Sequence, residues 1–163
     1  MSAIDDFLSR NEGYASGYDK GDLATPPSRQ IAVVVCMDAR LETGRLLGLL
    51  EGEAHVIRNA GGIVTDDVIR SLTISQRLLG TREVMVVQHT QCGMMSFQGE
   101  ALADAIEKET GERPGFSFGS FSELEPSVRA SVAKIQASPF VPHCEVVRGF
   151  VYDVETGRLR EVD

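Results

Sequence analysis

The amino-acid sequence predicts an α/β fold in which a mostly parallel central sheet with an antiparallel edge strand is flanked by helices. Segments 31–36 and 83–88 each contain an uninterrupted apolar run rich in valine, which indicates strands buried on both faces, as in parallel sheets. Helical patterns alternate with the strand patterns, which favours right-handed crossovers. Residues 1–163 are expected to form a single domain, because a chain of this length can bury a core of its own.

The beginning of the chain, residues 1–29, is predicted to be an arm of helix and loop. Residues 1–20 form a weakly amphipathic helical pattern behind Ser2, which is a suitable N-cap. Pro26 and Pro27 then place a loop before the first strand. The apolar positions of the helix are Ile4, Phe7, Leu8 and Tyr14. We expect this apolar stripe to dock either on its own subunit or on a partner.

The segment between the two buried strands is predicted to hold a helix, a strand and a second helix. A leucine-rich pattern at 41–50 indicates a short helix, and 54–58 indicates a strand. The longer helix begins behind Thr65, an N-cap followed by two acidic residues, where the helix dipole favours negative charge. Gly80 is predicted to end it.

The elements after the second buried strand complete the α/β pattern. Pro126 suits the first turn of a helix, and Gly111 suits the end of the helix before it. In order, we predict a helix to about Glu109, a loop at 113–120, a helix through Gln136, and strands at 146–152 and 158–162 joined by a turn at 153–157. These last two strands form a hairpin, which supplies the antiparallel edge.

Composition and charge argue against several classes of binding partner and cellular location. The formal net charge of -8, from 24 acidic and 16 basic residues, argues against binding to nucleic acid or to an anionic membrane surface. No apolar run is long enough for a membrane span, and the first residues lack the charged and apolar regions of a signal peptide. An odd number of cysteines, three, does not suggest a disulfide framework. We therefore expect a cytoplasmic protein.

Chemically reactive side chains directly follow both buried strands. Cys36, Asp38 and Arg40 lie at the end of the first strand, and His89 and Cys92 lie at the end of the second. Ligands of open α/β sheets bind beyond the carboxyl ends of the strands, where the chain reverses direction across the sheet. If the two strands are neighbours at such a point, Cys36 comes close to His89 and Cys92. We expect these three side chains to form one site.

Two thiolates and one imidazole are a ligand set typical of catalytic zinc, which keeps its fourth position for water or substrate. A structural zinc site would more often show two close pairs of ligands, whereas Cys36 stands alone about fifty residues before His89 and Cys92. The sequence therefore predicts a Zn²⁺ site built on a preformed fold. There the ion would lower the pKa of a bound water from 15.7 to about 7 and generate a nucleophile at neutral pH.

Asp38 and Arg40 are predicted to act beside the metal. Two thiolates neutralise the charge of the ion and weaken its effect on the water, so a neighbouring group must help. Asp38 is placed either to accept a hydrogen bond from the bound water or to become the fourth ligand itself, and Arg40 can hold it in a bidentate pair and keep it ionised. The residues alone leave both roles of Asp38 open.

Other interpretations of these motifs are weaker. A cysteine phosphatase needs Cys-x5-Arg, but Glu42 and Gln98 stand where its arginine would be. No glycine-rich nucleotide motif follows any predicted strand. The segment 59–62 is either a tight turn or a cradle of amides for an anion such as bicarbonate. Cys144 has no partner motif and is expected to lie in the core.

In four segments the chain resembles the β-class carbonic anhydrases, and in particular their compact prokaryotic and archaeal branch. The segments are Cys36–Arg40, Arg58–Gly62, His89–Met94 and Gly149–Leu159, of which the first and third are specific to that family. The resemblance implies a zinc lyase (carbonate dehydratase) that hydrates CO₂ reversibly to bicarbonate and a proton by zinc-bound hydroxide. It also implies one Zn²⁺ per subunit on Cys36, His89 and Cys92, and an obligate homodimer. Whether dimers pair into tetramers stays open.

The resemblance also describes two states for the aspartate that corresponds to Asp38. It either bonds to the zinc water while paired to the arginine corresponding to Arg40, or becomes the fourth ligand of an inactive closed form. Ala39 and Gln91 depart from the serine and aspartate that are common in the family. Two alternatives to CO₂ hydration follow: a carbonyl sulfide or carbon disulfide hydrolase on the same scaffold, and a non-catalytic, zinc-stabilised interaction module with Asp38 permanently on the metal.

Overall fold

A five-stranded sheet with helices packed against it forms the centre of the computed structural model, which describes residues 2–163. The strands are β1 (Ile31–Cys36), β2 (Ala54–Asn59), β3 (Glu83–His89), β4 (Val146–Tyr152) and β5 (Leu159–Val162). The helices are α1 (Ala3–Ser16), α2 (Thr43–Leu47), α3 (Asp66–Arg77), α4 (Gly99–Thr110) and α5 (Leu124–Gln136). The strand order is β2-β1-β3-β4-β5, parallel except for the antiparallel pair β4–β5. The predicted fold class is confirmed.

The interior strand β1 is buried on both faces, as its β-branched run predicts. Ala32 and Val34 pack into one core with apolar residues of α3 and α5. Val33 and Val35 pack into a second core on the other face, which also contains Cys36 and leucines of α2. Because successive side chains of a strand point to opposite faces, this one run serves both cores.

The sheet has its topological switch point at β1. The chain leaves β1 to form β2 on one side, and then crosses back to form β3 on the other side. Ile31 is paired in register with Ala54 of β2 and with Glu83 of β3, so the three strands start level. Their carboxyl ends therefore open at the same edge of the sheet, with diverging loops between them.

The turn that closes this edge requires glycine at position 62. Gly62 has a φ of 61°, and a Cβ atom there would lie 2.7 Å from the carbonyl oxygen of Val87 and 2.8 Å from the backbone nitrogen of Cys36. Any side chain at this position would push the turn away from both strands. The absence of one lets the backbone of the turn lie directly against the ends of β1 and β3.

Several element boundaries follow from local chemistry, but three helices are shorter than predicted: α1 ends at Ser16, α3 ends at Arg77 before Gly80, and α2 is the shortest. The Ser2 hydroxyl accepts a hydrogen bond from the Asp5 amide and caps α1, and Pro126 lies in the first turn of α5 as predicted. The helix predicted for 41–50 covers only α2, because Gly48 adopts a left-handed conformation that ends it.

Within residues 2–163, no helix combines the length and apolar character needed to cross a membrane.

Helix α1 lies on the outside of the subunit. Within Ala3–Ser16 no residue is buried, and the side chains of Phe7 and Leu8 are 62% and 63% exposed. Near its end, the Tyr14 hydroxyl donates a hydrogen bond to Glu51, and Lys20 pairs with the same carboxylate. The apolar stripe of the helix therefore does not dock on its own subunit, which was one of the two expectations for it.

Candidate metal centre

The structure brings together three side chains that the sequence places in two distant segments. Cys36 is the last residue of β1, His89 is the last residue of β3, and Cys92 follows in the loop after β3. Their ligand atoms, two sulfurs and a ring nitrogen, all lie within 4.8 Å of one another, and all three residues are buried. Tetrahedral ligands at zinc bond lengths of roughly 2.0–2.3 Å lie about 3.5 Å apart, so a small contraction would fit one zinc ion.

The hydrogen bonding of His89 leaves one ring nitrogen free for a metal. Its Nδ1 atom lies 2.8 Å from the carbonyl oxygen of Thr90. A carbonyl can only accept, so Nδ1 carries a proton, and in the neutral imidazole Nε2 then carries the lone pair. Nε2 is buried and has no hydrogen-bond partner among the described residues. A buried, unpaired acceptor is costly unless something binds it, and a metal ion would do so.

Hydrogen bonding between the two thiols favours the thiolate form of Cys36. The hydrogen bond from Cys92 lowers the pKa of Cys36 in spite of burial, and His89 and the backbone amides of Asp38 and Gly61 act in the same direction. The same hydrogen bond, together with burial, raises the pKa of Cys92. Burial opposes the charged form of His89, but the nearby Cys36 thiolate and the Thr90 carbonyl outweigh it and raise the pKa of His89. The thiolate of Cys36 thus favours a cation in the cluster, and a metal ion bound there would displace the competing protons.

Asp38 lies beside the cluster and is held by Arg40. Nε and Nη2 of Arg40 donate to the two carboxylate oxygens of Asp38 at 3.0 and 2.7 Å, and the Arg40 amide donates to Oδ1 at 2.9 Å. These contacts hold the pKa of Asp38 well below its usual range, so the carboxylate is ionised at neutral pH. Its Oδ2 atom lies 3.6 Å from Nε2 of His89, and the side chain is 19% exposed. Asp38 is not one of the three residues whose ligand atoms lie within 4.8 Å of one another.

Arg58 supports the site although the reasoning from the residues gave it no role. Its Nε atom donates to the carbonyl oxygen of Cys36 at 3.2 Å, and its Nη2 atom donates to that of Asp38 at 2.9 Å. Arg58 therefore fixes the backbone on both sides of Met37. The signal for it was its place near the end of β2, where it is in register with Val35 of β1.

The segment 59–62 forms a tight turn, one of the two interpretations of its sequence. Residues Ala60–Gly62 make a single 3₁₀ turn, and the side-chain amide of Asn59 donates to the carbonyl oxygen of Ile63 at 2.8 Å. The amide of Gly61 is one of the groups that lower the pKa of the Cys36 thiol. This turn therefore stabilises a thiolate of the cluster.

Cys144 lies apart from the cluster. Its thiol donates to the carbonyl oxygens of Val141 and Ile135 at 3.3 and 3.6 Å, and it packs against the core that contains Val34. Burial raises the pKa of Cys144. This residue is a protonated packing residue, as expected from its lack of a partner motif.

Comparison with known proteins is consistent with this geometry over the whole chain. The family model described as carbonic anhydrase matches residues 31–116. The chain is 56% identical over 162 residues to beta-carbonic anhydrase 1 of Mycobacterium tuberculosis, covering 99% of both proteins. A solved carbonic anhydrase from Streptococcus mutans is 41% identical, with a TM-score of 0.93 and coverage of 100% of this chain and 99% of that one. A carbon disulfide hydrolase from an Acidianus species is 36% identical, over 97% of this chain and 88% of that protein.

Replacing Cys92 by alanine is expected to weaken zinc binding by more than about 100-fold. Loss of a residue that only hydrogen-bonds to a metal ligand weakens binding by up to about 100-fold, and loss of a ligand itself should cost more. Zinc content after dialysis against a weak chelator, measured by mass spectrometry, checks this. The matched control is Cys144→Ala, which removes the thiol outside the cluster and should leave one zinc per chain. A folded Cys92→Ala protein that retained one tightly bound zinc would contradict the ligand assignment.

Proposed function

Since the chain belongs to the β-carbonic anhydrase family, we propose that it catalyses the reversible hydration of CO₂ to bicarbonate and a proton. The observation that carries this proposal is the convergence of Cys36, His89 and Cys92 beside an ionised Asp38. We propose these three residues as the ligands of one Zn²⁺ per subunit, with Asp38 and Arg40 as catalytic residues. The nearness of Asp38 to Nε2 of His89 leaves its role as a fourth ligand open as well.

In this proposal, the three ligands hold the ion, and Asp38 with Arg40 orients a water. When bound, zinc supplies a Lewis acid that lowers the pKa of a water in its fourth position towards neutrality. The hydrogen bond from His89 to Thr90 fixes the tautomer and the orientation of the imidazole. Asp38 would accept a hydrogen bond from the water. This hydrogen bond would orient the water so that a lone pair of its oxygen points towards CO₂.

Arg40 determines what Asp38 can do with a proton. Because Arg40 holds the pKa of Asp38 well below its usual range, the carboxylate is a good hydrogen-bond acceptor but a poor base at neutral pH. Asp38 would therefore orient the water without keeping its proton. We propose that the proton released in each turnover passes to solvent buffer.

The pairing of Asp38 with Arg40 also bears on the two states described for this aspartate. Both carboxylate oxygens are engaged by the guanidinium, so Asp38 could become a metal ligand only by giving up part of that bidentate pair. This geometry supports the orienting role. The closed form, in which Asp38 is the fourth ligand, would then be a minor state, because it loses hydrogen bonds to Arg40.

Stopped-flow assay of CO₂ hydration by the zinc-loaded protein tests the proposed reaction. Carbonyl sulfide and carbon disulfide are assayed in parallel, because a carbon disulfide hydrolase is 36% identical to this chain. We expect CO₂ to be turned over fastest, in keeping with the higher identity of 56% to a β-carbonic anhydrase. Faster turnover of a sulfur compound would instead favour the hydrolase. Absence of all three activities between pH 7 and 9, with zinc fully loaded, would favour a non-catalytic interaction module.

Replacing Asp38 by asparagine is expected to leave zinc bound and to lower CO₂ hydration roughly 10- to 100-fold, since the amide lacks the charge that Arg40 orients. Zinc content and initial rates are measured on the same preparation. Asp67→Asn is the matched control, because Asp67 forms an exposed pair with Arg70 at 2.8 Å, far from the cluster in sequence. Normal hydration by the Asp38→Asn protein would remove this residue from the mechanism.

We further propose that the protein is a homodimer and that residues 1–29 are an arm of its single domain that reaches the partner. The support is helix α1, whose apolar residues Ile4, Phe7 and Leu8 are all more than 60% exposed on the isolated subunit. An amphipathic helix gains its stability from packing its apolar face, and the subunit itself does not cover this face.

Changing Phe7 and Leu8 together to serine is expected to shift the protein towards the monomer in sedimentation velocity. Each buried side chain contributes about 1.5–3 kcal/mol, and a two-fold dimer loses every contact twice. Asn11→Ser, an exposed polar change within the same helix, is the control. A wild-type monomer would contradict the proposal outright, whereas a species of four chains would extend it to a tetramer.

We also propose that the protein works in the cytoplasm. Cys36 and Cys92 must stay reduced to bind zinc, and with Cys144 they are all free thiols. A reducing compartment keeps them so, whereas an oxidising one would favour a disulfide between the two clustered sulfurs. Fractionation of cells that express the protein at its natural level tests the location.

A further inference from the structure

A hydrogen bond between Gln91 and Glu155 joins the metal-site loop to the turn between β4 and β5. Nε2 of Gln91 donates to Oε1 of Glu155 at 2.6 Å, and both residues are exposed. This bond does not involve any of the three proposed metal ligands. On the basis of the proposed function, we propose that Gln91 and Glu155 are positioning residues that keep Asp38 paired with Arg40 and away from the fourth position on the metal.

The backbone of Gln91 belongs to the hydrogen-bond network that holds Asp38. The carbonyl oxygen of Gln91 accepts a hydrogen bond from Nη2 of Arg40 at 3.0 Å, and the same nitrogen donates to Oδ2 of Asp38 at 2.7 Å. The guanidinium is therefore held between the Gln91 carbonyl and the Asp38 carboxylate. A change in the direction of that carbonyl would remove one of the two anchors of Arg40.

The direction of the Gln91 carbonyl depends on an uncommon backbone conformation. Gln91 has a φ of 55°, a left-handed value that residues other than glycine seldom adopt. Such a conformation persists only where the surroundings hold it. The side chain of Gln91 is tied to Glu155 and its carbonyl to Arg40, so the residue is fixed at both ends.

Glu155 is a firm anchor because its own turn is well bonded. The carboxylate of Asp153 accepts hydrogen bonds from the amides of Glu155 and Thr156 at 2.8 and 3.2 Å. The turn is also fastened to the loop after β3, since the Val154 amide donates to the hydroxyl of Thr90 at 3.1 Å. The bond from Gln91 to Glu155 thus connects a strained peptide to a rigid part of the fold.

Loss of this bond should affect the site more than the stability of the fold. Both side chains are exposed, and a single exposed hydrogen bond adds little to folding. A looser Gln91 peptide, however, weakens the hold on Arg40 and lets Asp38 spend more time as a ligand. An external anion that binds the metal must then compete with Asp38, and its apparent affinity falls with the fraction of open sites.

The test uses the cobalt-substituted full-length protein titrated with thiocyanate, which is followed by the visible spectrum of the metal. Glu155→Ala is expected to weaken thiocyanate binding roughly two- to tenfold. Glu161→Ala is the matched control, because it removes the same charge from the same hairpin, where Glu161 pairs with Arg148. Glu155→Gln keeps an acceptor for the Gln91 amide and should bind thiocyanate like the wild type.

Exchange of the two side chains gives a sharper test. Gln91→Glu places two carboxylates together and should weaken thiocyanate binding further than Glu155→Ala, whereas the double variant Gln91→Glu with Glu155→Gln can form the bond in reverse and should restore it. Equal affinities for Glu155→Ala and Glu161→Ala, or a double variant without rescue, would overturn the inference, as would a wild type that binds no thiocyanate. Thiocyanate binding without CO₂ hydration by the wild type would reject the proposed function alone.

Discussion

The parallel pairing of β1 with β3 is the constraint on which the site depends. Its last in-register pair is Val35 with Val87, one residue before Cys36 and two before His89. Since the chain diverges on either side of β1, the loops that follow these strands do not compete for the same space. A thiol and an imidazole about fifty residues apart therefore meet in a buried position without any dedicated binding loop.

Burial of these groups makes sense only together with a cation. A buried thiolate and a buried ring nitrogen without a partner both cost free energy that packing alone does not offset. The protein reduces this cost by the hydrogen bond between Cys92 and Cys36 and by the amide of Gly61. A divalent ion would replace the proton shared by the two sulfurs, so the apolar cores around β1 provide a rigid frame that stands ready for the metal.

The sequence predicted the parts that local patterns control and missed those that depend on distant contacts. The β-branched run before Cys36 correctly predicted a buried strand, and the position of Cys36 at the end of that strand predicted the cluster with His89 and Cys92. Nothing local showed that Gly48 would end α2 early, because glycine also occurs inside helices. The contacts of Arg58 and Gln91 join residues 20 to 64 positions apart, and only the assembled sheet brings such residues together.

The position of Asp38 reflects a competition between two electrostatic partners. A metal that already carries two thiolates has little charge left to attract a third anion, and burying another carboxylate on it would leave the cluster negative. Arg40 offers the same carboxylate a bidentate pair near the surface, where water still solvates the guanidinium. The balance would therefore favour Asp38 beside a bound metal over Asp38 as one of its ligands.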